Sequence, residues 1–98
     1  MLFRSGSLSL RYGGADDVER IDVDGDVVFG EGAAITITAD SANVVEPGVW
    51  TVLSAASISG PLPSLNAVNF GHKQVRLRRV GNRIDLVVTK PGAILVVE

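Results

Sequence analysis

An all-β fold is predicted for this chain by three observations. Apolar and polar residues alternate with a period of two in seven short segments, as they do in strands with one buried face. Glycines and prolines fall between most of these segments, among them Gly13, Gly14, Gly30, Gly32, Pro47, Gly60, Pro61, Pro63, Gly81 and Pro91, and they punctuate turns. No stretch carries the apolar spacing of an amphipathic helix three turns long.

In chain order, SLSLRY (7–12) alternates up to the Gly13-Gly14 turn. RIDVDGDVVF (20–29) alternates on both sides of Gly25, and AAITITA (33–39) follows the glycine-containing turn GEG. Residues 39–45 are the best helical candidate, but they are few and rich in Ser, Asp and β-branched residues, so they read as a corner. VWTVLS (49–54) is a strand after Pro47-Gly48, and 61–74 reads as a loop opened by Pro61 and Pro63. VRLRRV (75–80) and RIDLVV (83–88) flank Gly81-Asn82, a two-residue loop suited to a tight hairpin. That loop sets Val75 opposite Val88, Leu77 opposite Leu86, Arg78 opposite Asp85 and Arg79 opposite Ile84. Leu77 and Leu86 then share the buried face, while Arg78 and Asp85 form an exposed pair worth about 0–1 kcal/mol. AILVV (93–97) supplies a final strand.

The 98 residues fit one domain, 1–98. Hydrophobic residues make up 46% of the chain, yet only Phe3, Tyr12, Phe29, Trp50 and Phe70 are aromatic, so the core is built from aliphatic side chains, as in thin stacked sheets. The absence of cysteine excludes disulfides, thiolate metal sites and a cysteine nucleophile. MLFRSGSLSL lacks the basic start and unbroken apolar core of a signal peptide. No apolar run approaches the length of a bilayer span, so direct membrane insertion is not expected.

Strands this short, separated by glycine corners, build either a sandwich of hairpins or a coil of parallel strands stacked rung on rung. DVVFGEGAAITIT favours the coil, because it turns between strands without a tight hairpin dipeptide, and strand-corner-strand units recur about every 20 residues. The expectation is a short, predominantly parallel β-solenoid. Its rungs would lie within about 7–60, followed by the loop 61–74 and a capping hairpin and final strand over 75–97.

Charge is split along the chain. Residues 1–49 carry three basic and nine acidic side chains, net −6, and residues 50–98 carry six basic and two acidic, net +4. In a coil, chain order maps onto the long axis, so the halves become opposite ends that favour head-to-tail contact between copies. Asp22 and Asp24 on one side, and Arg76, Arg78 and Arg79 on the other, are the interaction candidates. The sequence pI of about 5.3 and the lack of aromatics interleaved with these arginines argue against nucleic acid. An acidic surface glycan or the acidic half of another copy suits them better.

Residues that could carry chemistry are few. Asp22, Asp24 and Asp26 alternate, so on a continuous strand their carboxylates would share a face about 7 Å apart. That spacing overlaps the range of paired glycosidase carboxylates, but an outward strand face is polar in any case. The same DVDGD string is the calcium candidate, and it fails the EF-hand pattern, with Val27 where the glycine and Ala33 where the glutamate belong. His72 is the only histidine and reads as an exposed loop residue; no G-x-S-x-G elbow is present. Neither an enzyme nor a cofactor is expected. Trp50 alternates with Val52, and Val49, Thr51 and Leu53 form the other set, which leaves its face open.

The stretches GVWTVLSAASISG (48–60) and VRLRRVGNRIDLVV (75–88), with the DVVFGEGAAITIT unit before them, resemble the closing segment of extracellular β-solenoid passengers of autotransporters and of proteins with autotransporter-associated β-strand repeats. The resemblance covers most of residues 20–90. It implies an extracellular or cell-surface setting and a structural, non-enzymatic role as the terminal, stability-setting segment of a longer solenoid. Trp50 would pack against the terminal rungs, and Leu77, Gly81, Asn82 and Leu86 would form the cap. Partners would be upstream rungs of the same protein or other copies of itself. Met1 would then stand inside a longer exported protein or begin a chain exported by another route.

Overall fold

The computed structural model describes residues 2–90, which form eight strands and no α-helix. They are β1 (Leu2–Tyr12), β2 (Ile21–Asp22), β3 (Asp26–Ala39), β4 (Gly48–Ser54), β5 (Ser57–Ser59), β6 (Ser64–Val68), β7 (Gln74–Val80) and β8 (Arg83–Thr89). A single 3-10 turn at Ala42–Val44 occupies the corner expected between residues 39 and 45.

Two sheets alternate along the chain. The first is wholly parallel: β3 lies between β1 on one edge and β5 and β6, in series, on the other. The second, in the order β2-β4-β8-β7, is mixed: β2 and β4 run parallel, and the β7–β8 hairpin joins antiparallel, with β8 against β4. The all-β prediction therefore holds, whereas predominantly parallel pairing holds in one sheet only. The expected spacing also changes. Leu8 lies beside Ile35 and Ile35 beside Leu65, steps of 27 and 30 residues, longer than the expected 20.

The longer step has a local cause. The GEG stretch is not a corner. Between the pairs Phe3–Phe29 and Ser5–Gly32 a single residue, Arg4, faces two, Gly30 and Glu31, so the glycines flank a bulge inside the 14-residue β3. The true corner lies earlier, at Val23-Asp24-Gly25, and divides the expected 20–29 strand between two sheets. β5 and β6 fall within segments read as irregular, and β6 lies within the expected 61–74 loop; the expected 93–97 strand lies outside the described residues.

Period-two alternation still decides which side chains meet. Val27, Phe29, Ala33, Ile35, Ile37 and Ala39 face inward from β3, and Leu53, Ile84, Leu86 and Val88 face them from the second sheet. Each large side chain so buried contributes roughly 1.5–3 kcal/mol. Tyr12 is 0% exposed and packs edge-on to Trp50 (centroids 5.1 Å apart) and Phe70 (5.5 Å). Its hydroxyl accepts a 3.1 Å hydrogen bond from the Glu46 N–H. The buried core is mainly aliphatic, as expected, and these aromatics join the two sheets within it.

The hairpin follows the predicted register pair for pair, from Val75–Val88 through Leu77–Leu86 and Arg78–Asp85 to Arg79–Ile84. Gly81 takes φ +57, and Asn82 is not in the left-handed region, which matches the type II′ turn that places glycine first. Arg79 shares the inward side with Ile84 and donates to the Ile58 carbonyl, tying β7 to β5 across the two sheets.

Candidate interaction face

The outer surface of the second sheet gathers most of the unusual polar chemistry. Alternation turns Arg76 and Arg78 of β7 outward, since Val75 and Leu77, which alternate with them, face the core. Across the sheet, Arg78 is level with Asp85 of β8, and Asp85 with Thr51 of β4. Asp85 is only 2% exposed, so the expected surface pair is instead a buried carboxylate. The correction has a physical reason. β8 is flanked on both sides, and Thr51 Oγ1 donates to Asp85 Oδ1 at 2.9 Å while Arg78 and Arg83 reach it at 3.4 and 3.2 Å.

Burial alone would raise the pKa of Asp85. The hydrogen bonds from Thr51 and Arg78, the nearby charge of Arg83 and its hydrogen bond outweigh that effect and hold the carboxyl below its ordinary value. The fold therefore stabilises the ionised form. That contribution is present above the unfolded-state value of about 4 and is lost as pH falls through the lower folded value. Because both arginines are about half exposed, solvent screens the ion pairs, and the hydrogen bonds carry most of the effect. Asp85→Asn should lower stability by about 1–3 kcal/mol at pH 7, with the gap to wild type closing below about pH 4. Urea unfolding at pH 7 and pH 3 measures it; an equal gap at both pH values would refute the ionised role.

The aspartates of the DVDGD string do not converge. Asp22 belongs to the second sheet, where Ser54 and Arg20 hydrogen-bond to it and hold its pKa down. Asp24 lies in the corner, and Asp26 opens β3 in the other sheet, accepting from Ser57 Oγ at 2.8 Å. The corner removes the continuous strand on which they would have shared a face. Among the described residues no three His, Asp or Glu side chains group to hold a metal ion.

Of the remaining expected residues, Trp50 pairs with Leu86 on the inner side, and its indole N–H donates to the Ala15 carbonyl at 2.9 Å. Leu77 and Leu86 are core, Gly81 and Asn82 make the hairpin turn, and His72 is exposed. The arginine trio of Arg76, Arg78 and Arg79 divides: the first two lie on the outer face, whereas Arg79 leaves β7 on the other side and, still exposed, donates to the Ile58 carbonyl. Arg83 takes its place on the outer face. Sequence reasoning passed over Arg83, although the hairpin register already put it two residues from Asp85 on the same side of β8.

On the opposite surface, Arg11 clamps Asp40 through two hydrogen bonds (2.8 and 2.5 Å) and reaches Asp17 at 3.1 Å. Asp40 is correspondingly held below its usual pKa by Arg11. This cluster ties the Gly13–Gly14 turn to the end of β3. Compared with protein-family models, with curated proteins and with solved structures, the chain matches none.

Proposed function

We propose that this chain is a non-enzymatic structural module that closes one end of a longer, layered β-protein, the terminal segment of an exported or cell-surface solenoid of the autotransporter-like kind. One observation carries the reading. At one end of the module both sheets finish in strands, β1 and β2, that pair on one side only among the described residues and sit in parallel layers. At the other end of the second sheet the direction reverses, and an antiparallel hairpin finishes it. An open parallel edge is a template for a further strand, and in the second sheet the antiparallel hairpin ends the parallel layering. Upstream rungs of the same protein would lie on β1 and β2.

A second reading is favoured by the charges at the two edges of the second sheet. In and around β2 stand Asp16, Asp22 and Asp24 with Arg20, Asp17 and Glu19 of the same segment being held against Arg11 of β1, and on or beside β7 stand Lys73, Arg76, Arg78 and Arg79. Opposite edges of opposite sign suit head-to-tail stacking of copies into a filament. Solution mass and electron microscopy across salt concentrations separate the two. A terminal module stays monomeric at low salt, whereas a filament subunit polymerises at low salt and dissociates at high salt. In the filament case Lys73→Glu/Arg76→Glu and Asp16→Lys/Asp24→Lys would each block assembly alone and restore it when mixed. Antibody labelling of intact producing cells tests the surface setting; label only after lysis would refute it.

A further inference from the structure

We infer that the outer face of the β7–β8 hairpin binds an acidic polysaccharide through a fixed set of guanidinium groups. Arg76, Arg78 and Arg83 lie on this face around one carboxylate, Asp85, leaving a local excess of two positive charges. Asp85 does more than neutralise. It is buried, anchored by Thr51, and holds Arg78 through one terminal nitrogen and Arg83 through Nε. Both guanidiniums are thereby positioned while their other N–H groups remain free to donate, and their side chains are about half exposed. Arg76 forms no ion pair among the described residues. Planar, pre-oriented N–H pairs match the oxygens of sulfate and carboxylate groups.

The surroundings narrow the ligand class. In the row across the sheet beside Arg76 stand Val87, 6% exposed, and Val49, 52% exposed, so Val49 offers a small apolar surface for the C–H face of a sugar ring. The described residues form no pocket, so the ligand lies along a surface, as a polymer does. A chain following the hairpin keeps to the basic strands and avoids the acidic segment around β2. A broad nucleic acid duplex would cross onto that segment, and among the described residues the basic face carries no exposed aromatic on which a base could stack.

The test is calorimetric titration of the full chain with a size-defined heparin oligosaccharide, a polygalacturonate oligomer and a 20-base-pair DNA duplex at one salt concentration. The acidic saccharides should bind, more weakly as salt rises. Arg76→Ala/Arg83→Ala should lower affinity about ten-fold or more, while Arg11→Ala on the other sheet should leave it unchanged. Asp85→Asn adds a net positive charge but releases the anchored pair. Weaker binding by that variant supports the fixed arrangement, and tighter binding overturns it. Equal binding of the duplex, or no saccharide binding at low salt, also overturns the proposal. Circular dichroism of each variant confirms that the fold survives.

Discussion

Gly60→Ala should destabilise the protein by about 3–5 kcal/mol, a large share of the roughly 5–15 kcal/mol that holds a domain of this size. Two costs combine. Gly60 has φ +90, a conformation that a side-chain-bearing residue adopts only with strain of about 1–3 kcal/mol. A Cβ there would also stand 2.0 Å from the Phe29 carbonyl oxygen. That oxygen is backbone in the middle of the first sheet, so no rotamer change relieves the clash; β3 or the β5 end must move, at a further cost of about 1–3 kcal/mol. Thermal unfolding should fall by about 15 °C or more. Gly81→Ala is the matched control, since Gly81 also has positive φ but nothing within 4 Å of its added methyl, and it should lose only about 1–2 kcal/mol. If the two variants melted together, the close approach at Phe29 would carry no energy.

Tyr12→Ala should cost about 3–5 kcal/mol. The ring is fully buried, and its partners come from distant parts of the chain: Trp50 in β4 and Phe70 in the β6–β7 turn. Losing it empties the junction between the sheets and leaves the Glu46 N–H without its acceptor. Tyr12→Phe separates these effects, because it keeps the ring and removes only the hydroxyl, a loss of about 1 kcal/mol. Urea unfolding followed by Trp50 fluorescence reads both stability and packing, since Trp50 is the only tryptophan and touches Tyr12 directly. Similar losses in the two variants would place the energy in the hydrogen bond and not in the ring.

What could be read in the sequence follows the reach of each interaction. The β7–β8 register was legible because a two-residue turn fixes every pairing from within the segment itself. The course of β3 was not. Whether Gly30 and Gly32 make a corner or a bulge is decided by Arg4, which lies across the sheet and far away in sequence. β5 and β6 were hidden for a similar reason: SIS and SLNAV are short and polar, and they become strands only because β3 is long enough to accept both along one edge. At the candidate face, the pairing of Arg78 with Asp85 could be read, but burial of Asp85 depends on Thr51, which lies 34 residues away. Arg79 followed the parity of its strand onto the side opposite Arg76 and Arg78, where it stays exposed and donates to the Ile58 carbonyl.

The 14-residue β3 has a consequence for how the chain finds its fold. The hairpin closes a loop of two residues, whereas β3 meets Leu8 and Leu65 across 27 and 30 residues, and Trp50 meets Leu86 across 36. Closing a loop costs entropy that grows with the logarithm of its length, and nothing is returned until the strands are aligned. β3 can align only when both neighbours have been gathered from opposite directions along the chain. The alignment of β3 is therefore the expected slow step in folding, and the hairpin, which closes over two residues, the element expected to form early.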